Sequence, residues 1–188
     1  MIGNDIVDLQ LAKSQSNWQR KGFLEKQFTE EEQKKILNSK NPFSLVWLFW
    51  SMKEAAYKSC TQKIEKRFFA PQKLECTLTN ENEGFVSFED KKFYTTTFLS
   101  TFYLCTIARE TQEQITIFSA IGSPKTIDTD LKKKLTEETG ILSEEIEKRK
   151  TAIGAPLFYH RKQLLTKSCS ISHHGNYGAF AFTLENQS

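Results

Sequence analysis

The sequence predicts an α+β fold, and three observations carry that expectation. Helical signals dominate the chain from Leu11 to Lys58, behind a short strand-like start. From Phe68 to Ala108 the pattern becomes β-like, with apolar and aromatic runs separated by polar turns. At 188 residues with 15 Phe, the chain can bury one good core, or two small and tightly joined ones. Both halves carry helices and strands, which leaves a duplicated architecture open.

Ile2 to Leu9 reads as a strand with Asp5 inside it, unusual because strands are depleted in Asp. The ordinary reading is an edge strand with a solvated acid. A helix is predicted over Leu11–Phe23. Thr29-Glu30-Glu31-Glu32 matches a capping box, with Thr29 as N-cap and Glu32 at N3, opening a helix to about Leu37 or Asn38. Asn41-Pro42 restarts the chain as cap and first helical residue. Positions 46, 50, 54 and 58 of the next helix follow one another at i+4. Glu54 therefore continues an apolar stripe, where an acid needs a partner.

Strands are expected over Leu74–Leu78, Gly84–Phe88, Phe93–Phe98 and Phe102–Ala108. Glu110 to Gln114 is a polar break and marks the candidate boundary between halves 1–110 and 111–188. A strand over Ile115–Ile121 follows, then a helix over Thr129–Thr139 with Gly140 as C-cap, then a strand or short helix from Ser143 through Lys150. Ser168–Ser172 and Tyr177–Leu184 read as strands around a turn at His173-His174-Gly175-Asn176, with Tyr177, Ala179, Ala181 and Thr183 on one face.

The net charge of +3 is too mild to imply nucleic acid, and it suits an acidic protein or a polyanionic small ligand. Cys60, Cys76, Cys105 and Cys169 form no C-x-x-C pair and read as reduced, packed thiols. Asp5 and Asp8 interrupt any N-terminal apolar signal, and the apolar run at Leu45–Trp50 is too short to span a bilayer. A cytoplasmic protein without membrane or nucleic-acid partners is the expectation.

Three constellations carry possible chemistry. Asp5 with Glu54 would suit Mg²⁺, which takes one or two carboxylates and leaves room for water and phosphate. The alternative is an ordinary i,i+4 pair of Glu54 with Lys58, worth about 0.2–0.5 kcal/mol. Lys53 and Lys58 would neutralise a phosphate, or else be solvated lysines on a helix flank. Ser170-Ile171-Ser172-His173-His174-Gly175 offers hydroxyls, imidazoles and backbone N–H groups to an anion, or is simply a polar turn. No Gly-x-Ser-x-Gly elbow, P-loop, zinc spacing or dinucleotide fingerprint is present.

These residues resemble the 4′-phosphopantetheinyl transferases, including the holo-acyl-carrier-protein synthases. Gly3-Asn4-Asp5-Ile6-Val7-Asp8 is similar to the family's Gly-x-Asp motif. Trp50-Ser51-Met52-Lys53-Glu54-Ala55-Ala56-Tyr57-Lys58 is similar to its aromatic-x-x-Lys-Glu-Ala/Ser-x-x-Lys motif, and Phe23 to Glu32 resembles the segment between them. The resemblance implies transfer of 4′-phosphopantetheine from coenzyme A to a serine of an acyl or peptidyl carrier protein, with release of 3′,5′-ADP. It implies Asp5 and Glu54 as Mg²⁺ ligands, Lys53 and Lys58 at the pyrophosphate, and Glu54 or Lys58 as proton acceptor. Gly154-Ala155-Pro156 resembles Gly-Lys-Pro, and Ser170 to Gly175 resembles the Ser-His-x-Gly wall of the coenzyme A site, which brings in Ser172, His173 and His174.

That Ser-His segment precedes Gly-x-Asp in the two-domain branch and here comes last. The implied fold is a pseudo-dimer of two similar α/β halves in swapped order, the alternative being an enlarged single-domain synthase. Val7 stands where the two-domain branch has a third metal-binding acid, Ala155 replaces a lysine of the coenzyme A site, and Leu11 replaces a basic carrier-contact residue. The competing function is a non-catalytic module that binds carrier protein or nucleotide on the same fold.

Overall fold

The computed structural model describes residues 1–68, 70–113 and 115–185. It is an α+β architecture of antiparallel sheets packed against one long helix and one shorter one. Strand β1 (Ile2–Asp8) leads into α1 (Leu9–Gln15), α2 (Phe23–Gln27), α3 (Glu30–Leu37) and α4 (Pro42–Ile64). Four strands follow: β2 (Glu75–Leu78), β3 (Glu83–Phe88), β4 (Lys91–Leu99) and β5 (Tyr103–Arg109). With β1 they form a five-stranded sheet in the order β1-β5-β4-β3-β2. The second half contains β6 (Phe118–Gly122), α5 (Ile127–Thr139), β7 (Ile146–Lys150), β8 (Pro156–His160), β9 (Gln163–Leu164), β10 (Thr166–His174) and β11 (Tyr177–Leu184). Its sheets run β10-β11-β6 and β7-β8-β9.

Local chemistry sets the helix ends. Asn41 caps α4 by accepting the Ser44 N–H, Pro42 enters the first turn, and the chain leaves through Glu65 in the left-handed region. Thr29 and Glu32 form the capping box reciprocally at α3. The helix expected over Leu11–Phe23 is instead two short ones. The Asp8 carboxylate accepts from Leu11 N–H and starts α1 two residues early. Ser16 then turns extended, and Gly22 at φ +81° opens α2.

Helix α4 buries Val46, Phe49, Met52, Ala55, Ala56 and Cys60, and forms a core with Val7, Phe28, Val86 and Phe93. It lies close on β1, because a Cβ at Gly3 would run into the Ala55 carbonyl and the Ser59 nitrogen. A second core gathers Leu131, Leu135, Phe158, Phe180 and Phe182. The two faces expected for β11 are those observed, with Phe180 and Phe182 in this core and Ala179 opposite. The β6 strand starts at Phe118, three residues later than expected, and His173 and His174 belong to β10 rather than to the turn.

β1 is the edge of its hydrogen-bonded sheet, yet every residue in it is buried. Its free edge is covered by β10, running alongside with a constant offset. Ile2 N–H donates to Ser168 Oγ, Asn4 N–H to Ser170 Oγ and Asp8 N–H to His174 Nδ1, each at 2.9 Å. Side chains, not carbonyls, satisfy the exposed edge. Ser172 holds the remaining position opposite Ile6, and its buried hydroxyl has no partner among the described residues. This seam joins the halves, and it explains the alternation of hydroxyls at Ser168, Ser170 and Ser172.

All four cysteines are buried and free. Burial, together with the Asp5 charge, pushes the Cys105 thiol up to about 12. No helix among the described residues is long and apolar enough to cross a membrane.

Candidate active site

Asp5 lies at the middle of β1 on the side that faces α4. The Ser51 hydroxyl donates to the Asp5 carbonyl at 3.4 Å, which shows how closely helix and strand pass. About two turns further along α4, Lys58 reaches back to β1. Its ammonium donates to Asp5 Oδ1 and to the Asn4 carbonyl, both at 2.9 Å. The Glu54–Lys58 ion pair considered from the sequence is thus not the one formed; Lys58 pairs with Asp5. Glu54 occupies the same helical face, four residues before Lys58.

The Glu54 carboxyl is raised above its usual range, first by burial and then by the negative charge of Asp5, with Lys58 opposing. Two carboxylates share one poorly solvated place, with one ammonium to offset them. Among the described residues no third His, Cys, Asp or Glu joins them in a metal-binding group. Val7, where a third acid was considered, is buried in the apolar core. Two carboxylates in mutual repulsion fit a divalent cation that takes few protein ligands and completes its shell with water and phosphate.

Lys53 is placed differently from the expectation. Its ammonium donates to the Gln27 carbonyl at 2.8 Å, to Glu32 Oε2 at 2.6 Å and to the Pro71 carbonyl at 2.9 Å. All three of its N–H donors are spent inside the fold. Lys53 is 5% and Glu32 2% exposed, so the pair is sealed from any ligand. Glu32 also accepts from Thr29 N–H and Cys76 N–H, tying α3, α4 and β2 together. The physical reason is angular: at about 100° per residue, positions 53 and 58 lie roughly 140° apart around the helix.

Beside Lys58, a cavity of about 270 Å³ opens between the halves. Tyr57, Lys58 and Arg67 line one wall; Gly154, Ser170 and Ile171 line the other. A neighbouring cavity of about 310 Å³ shares Gly154, Pro156 and Ile171 and adds Lys125, Lys150 and His173. The two adjoin at these shared residues as one groove, with cations lining both lobes and the Lys148–Asp128 pair in the second. His173 therefore faces the groove. His174 does not, because its Nδ1 is taken by β1. Ser172 is buried at the seam.

Asp8, not singled out from the sequence, organises the end of β1. Burial acts to raise its carboxyl, but N–H donors from Leu11, Asn176 and Gln10, with His174 beside them, outweigh that and hold it low. Sequence reasoning also missed Arg67, whose only signal was the short basic pair Lys66-Arg67 after a long helix, and the grouping of Lys125 with Lys150.

A family model described as the 4′-phosphopantetheinyl transferase superfamily matches residues 1–117, more than half of the chain and the whole of the Asp5–Glu54–Lys58 constellation. No curated protein matches the chain.

Proposed function

We infer the activity from one premise: the chain belongs to the 4′-phosphopantetheinyl transferase superfamily. The reading is transfer of 4′-phosphopantetheine from coenzyme A to a serine of an acyl or peptidyl carrier protein. The observation that carries it is the gathering of Asp5, Glu54 and Lys58, with Lys58 also lining the basic groove between the halves.

In the reaction, the carrier serine Oγ attacks the phosphorus that bears the pantetheine arm. The new Ser O–P bond forms as the bond to the other phosphate breaks, and 3′,5′-ADP leaves with the electron pair. Asp5 and Glu54 would hold Mg²⁺, which when bound supplies charge neutralisation at the pyrophosphate. Lys58 is oriented by Asn4 and Asp5, and its remaining N–H is free to donate to a phosphate oxygen. Glu54 or Lys58 would accept the serine proton, directly or through a water. His173, with Lys125 and Lys150, would face the nucleotide end, while Ser172 and His174 hold the wall in place.

The chain would then be a pseudo-dimer of halves 1–110 and 111–188 in swapped order. Two parallels support this: in each half the first strand pairs antiparallel with the last, β1 with β5 and β6 with β11, and a helix follows the first strand.

The test is incubation with coenzyme A, Mg²⁺ and a panel of apo carrier proteins, read by intact mass. A phosphopantetheine gain on a carrier serine is expected. Binding of coenzyme A or carrier with no mass gain on any member would instead make the chain a non-catalytic binding module.

A further inference from the structure

Arg67 lies three residues beyond the end of α4, in a segment the transferase motifs do not reach. Its Nε and Nη2 both donate to the Ile153 carbonyl, at 3.1 and 2.6 Å, across the gap between the halves. Ile153 sits in a tight turn. Thr151 N–H donates to the Ala155 carbonyl, Gly154 N–H to the Thr151 carbonyl, and Ala155 N–H to Thr151 Oγ1. Gly154 at φ +88° lets the turn close, and a Cβ there would come within 3.0 Å of Arg67 Nη2. Arg67 thus straps the first half to the turn that walls the groove.

The strap uses only part of the guanidinium. Two of its five N–H groups serve a neutral carbonyl, and no carboxylate lies within ion-pair distance among the described residues. The remaining donors belong to a cation that lines the same cavity as Lys58. Lys58 itself is paired with Asp5. The turn contributes Ala155, whose side chain bears no charge.

We propose that Arg67 is a phosphate-binding and specificity residue of this groove. It would supply, from the opposite wall, the cationic contact that Ala155 does not, while holding the Thr151–Ala155 turn over the bound molecule. A planar fork fits this double task, because one edge can grip a carbonyl while the other meets phosphate oxygens. The proposal rests on the coenzyme A reading above.

The test compares wild type, R67Q and R67K by calorimetric titration with coenzyme A, without carrier, at two salt concentrations. Loss of a charge-assisted contact should weaken binding by about ten- to a hundredfold in R67Q. R67K, which keeps the charge and loses the fork, should fall between. The salt dependence of binding should be shallower in R67Q than in wild type, which a purely structural strap would not cause. R67Q binding within about twofold of wild type, or an unchanged salt dependence, overturns the proposal. Because the readout is binding, a wild type that binds but transfers nothing defeats the transferase reading alone. A wild type that does not bind coenzyme A defeats both.

Discussion

Replacing Lys53 by Met separates the two roles a lysine of the Lys-Glu motif can have. The structure spends its three donors on Gln27, Glu32 and Pro71, in a place where both ions are almost fully buried. Met matches the length of the stem and removes the charge. Glu32 would keep its bonds from Thr29 and Cys76 but stay buried without its cation, and two carbonyls would lose their donor. Breaking a buried pair from one side costs about 3–5 kcal/mol. For a chain of this size each kcal/mol moves Tm by about 2–4 °C, so a fall of ~6–20 °C is expected. The K53M/E32Q double variant should recover part of that loss, because no unpaired carboxylate then remains. Thermal unfolding, with coenzyme A titration well below the lowered Tm, reads both quantities. Affinity for coenzyme A should stay within about threefold of wild type. A Tm within about 2 °C of wild type, together with a tenfold loss of coenzyme A affinity, would refute the placement of Lys53 as a structural strut.

Glu54→Gln should abolish transfer and yet stabilise the metal-free protein at neutral pH. A carboxyl raised in the folded state makes that state bind more protons than the unfolded chain, so wild-type stability falls as pH rises from the ordinary glutamate range through the raised value. The gain of E54Q should therefore appear across that window and vanish below it, as melting curves in chelator across pH would show. An equal gain at all pH values would contradict it. Mg²⁺ should raise the Tm of wild type and not of E54Q; equal shifts would move the cation elsewhere. Gly3→Ala forces a methyl onto the α4 backbone and should cost about 1–3 kcal/mol or more in denaturant unfolding, and an unchanged midpoint would mean that helix and strand can part freely. Ser170→Ala leaves the Asn4 N–H unpaired at the seam and should cost about 1–3 kcal/mol, with amide exchange at Asn4 accelerated.

Much of the first half was legible because its signals are local. The capping box at Thr29, the Asn41-Pro42 start of α4 and the strands after Leu74 are each set by neighbours within a few residues. The separation of Lys53 from Lys58 was also latent in helical geometry, since a five-residue step turns the side chain away. Helical spacing could not say which of the two faces meets β1 and which meets α3. That was decided by Gly3, which lets α4 settle on the strand, and by Glu32, which waits on the other side.

The sequence by itself determined the α+β class, the site motifs and the family those motifs resemble, because these depend on residue identity and short spacing. Only the tertiary structure decided the seam, in which hydroxyls and an imidazole 166 positions away satisfy the backbone of β1, and the strap from Arg67 to Ile153, 86 positions apart. Such contacts leave no periodic trace in the chain. They follow from how an unpaired strand edge and an unpaired cation find partners once the cores have closed, and they fix where Asp5, Glu54 and Lys58 stand relative to the groove.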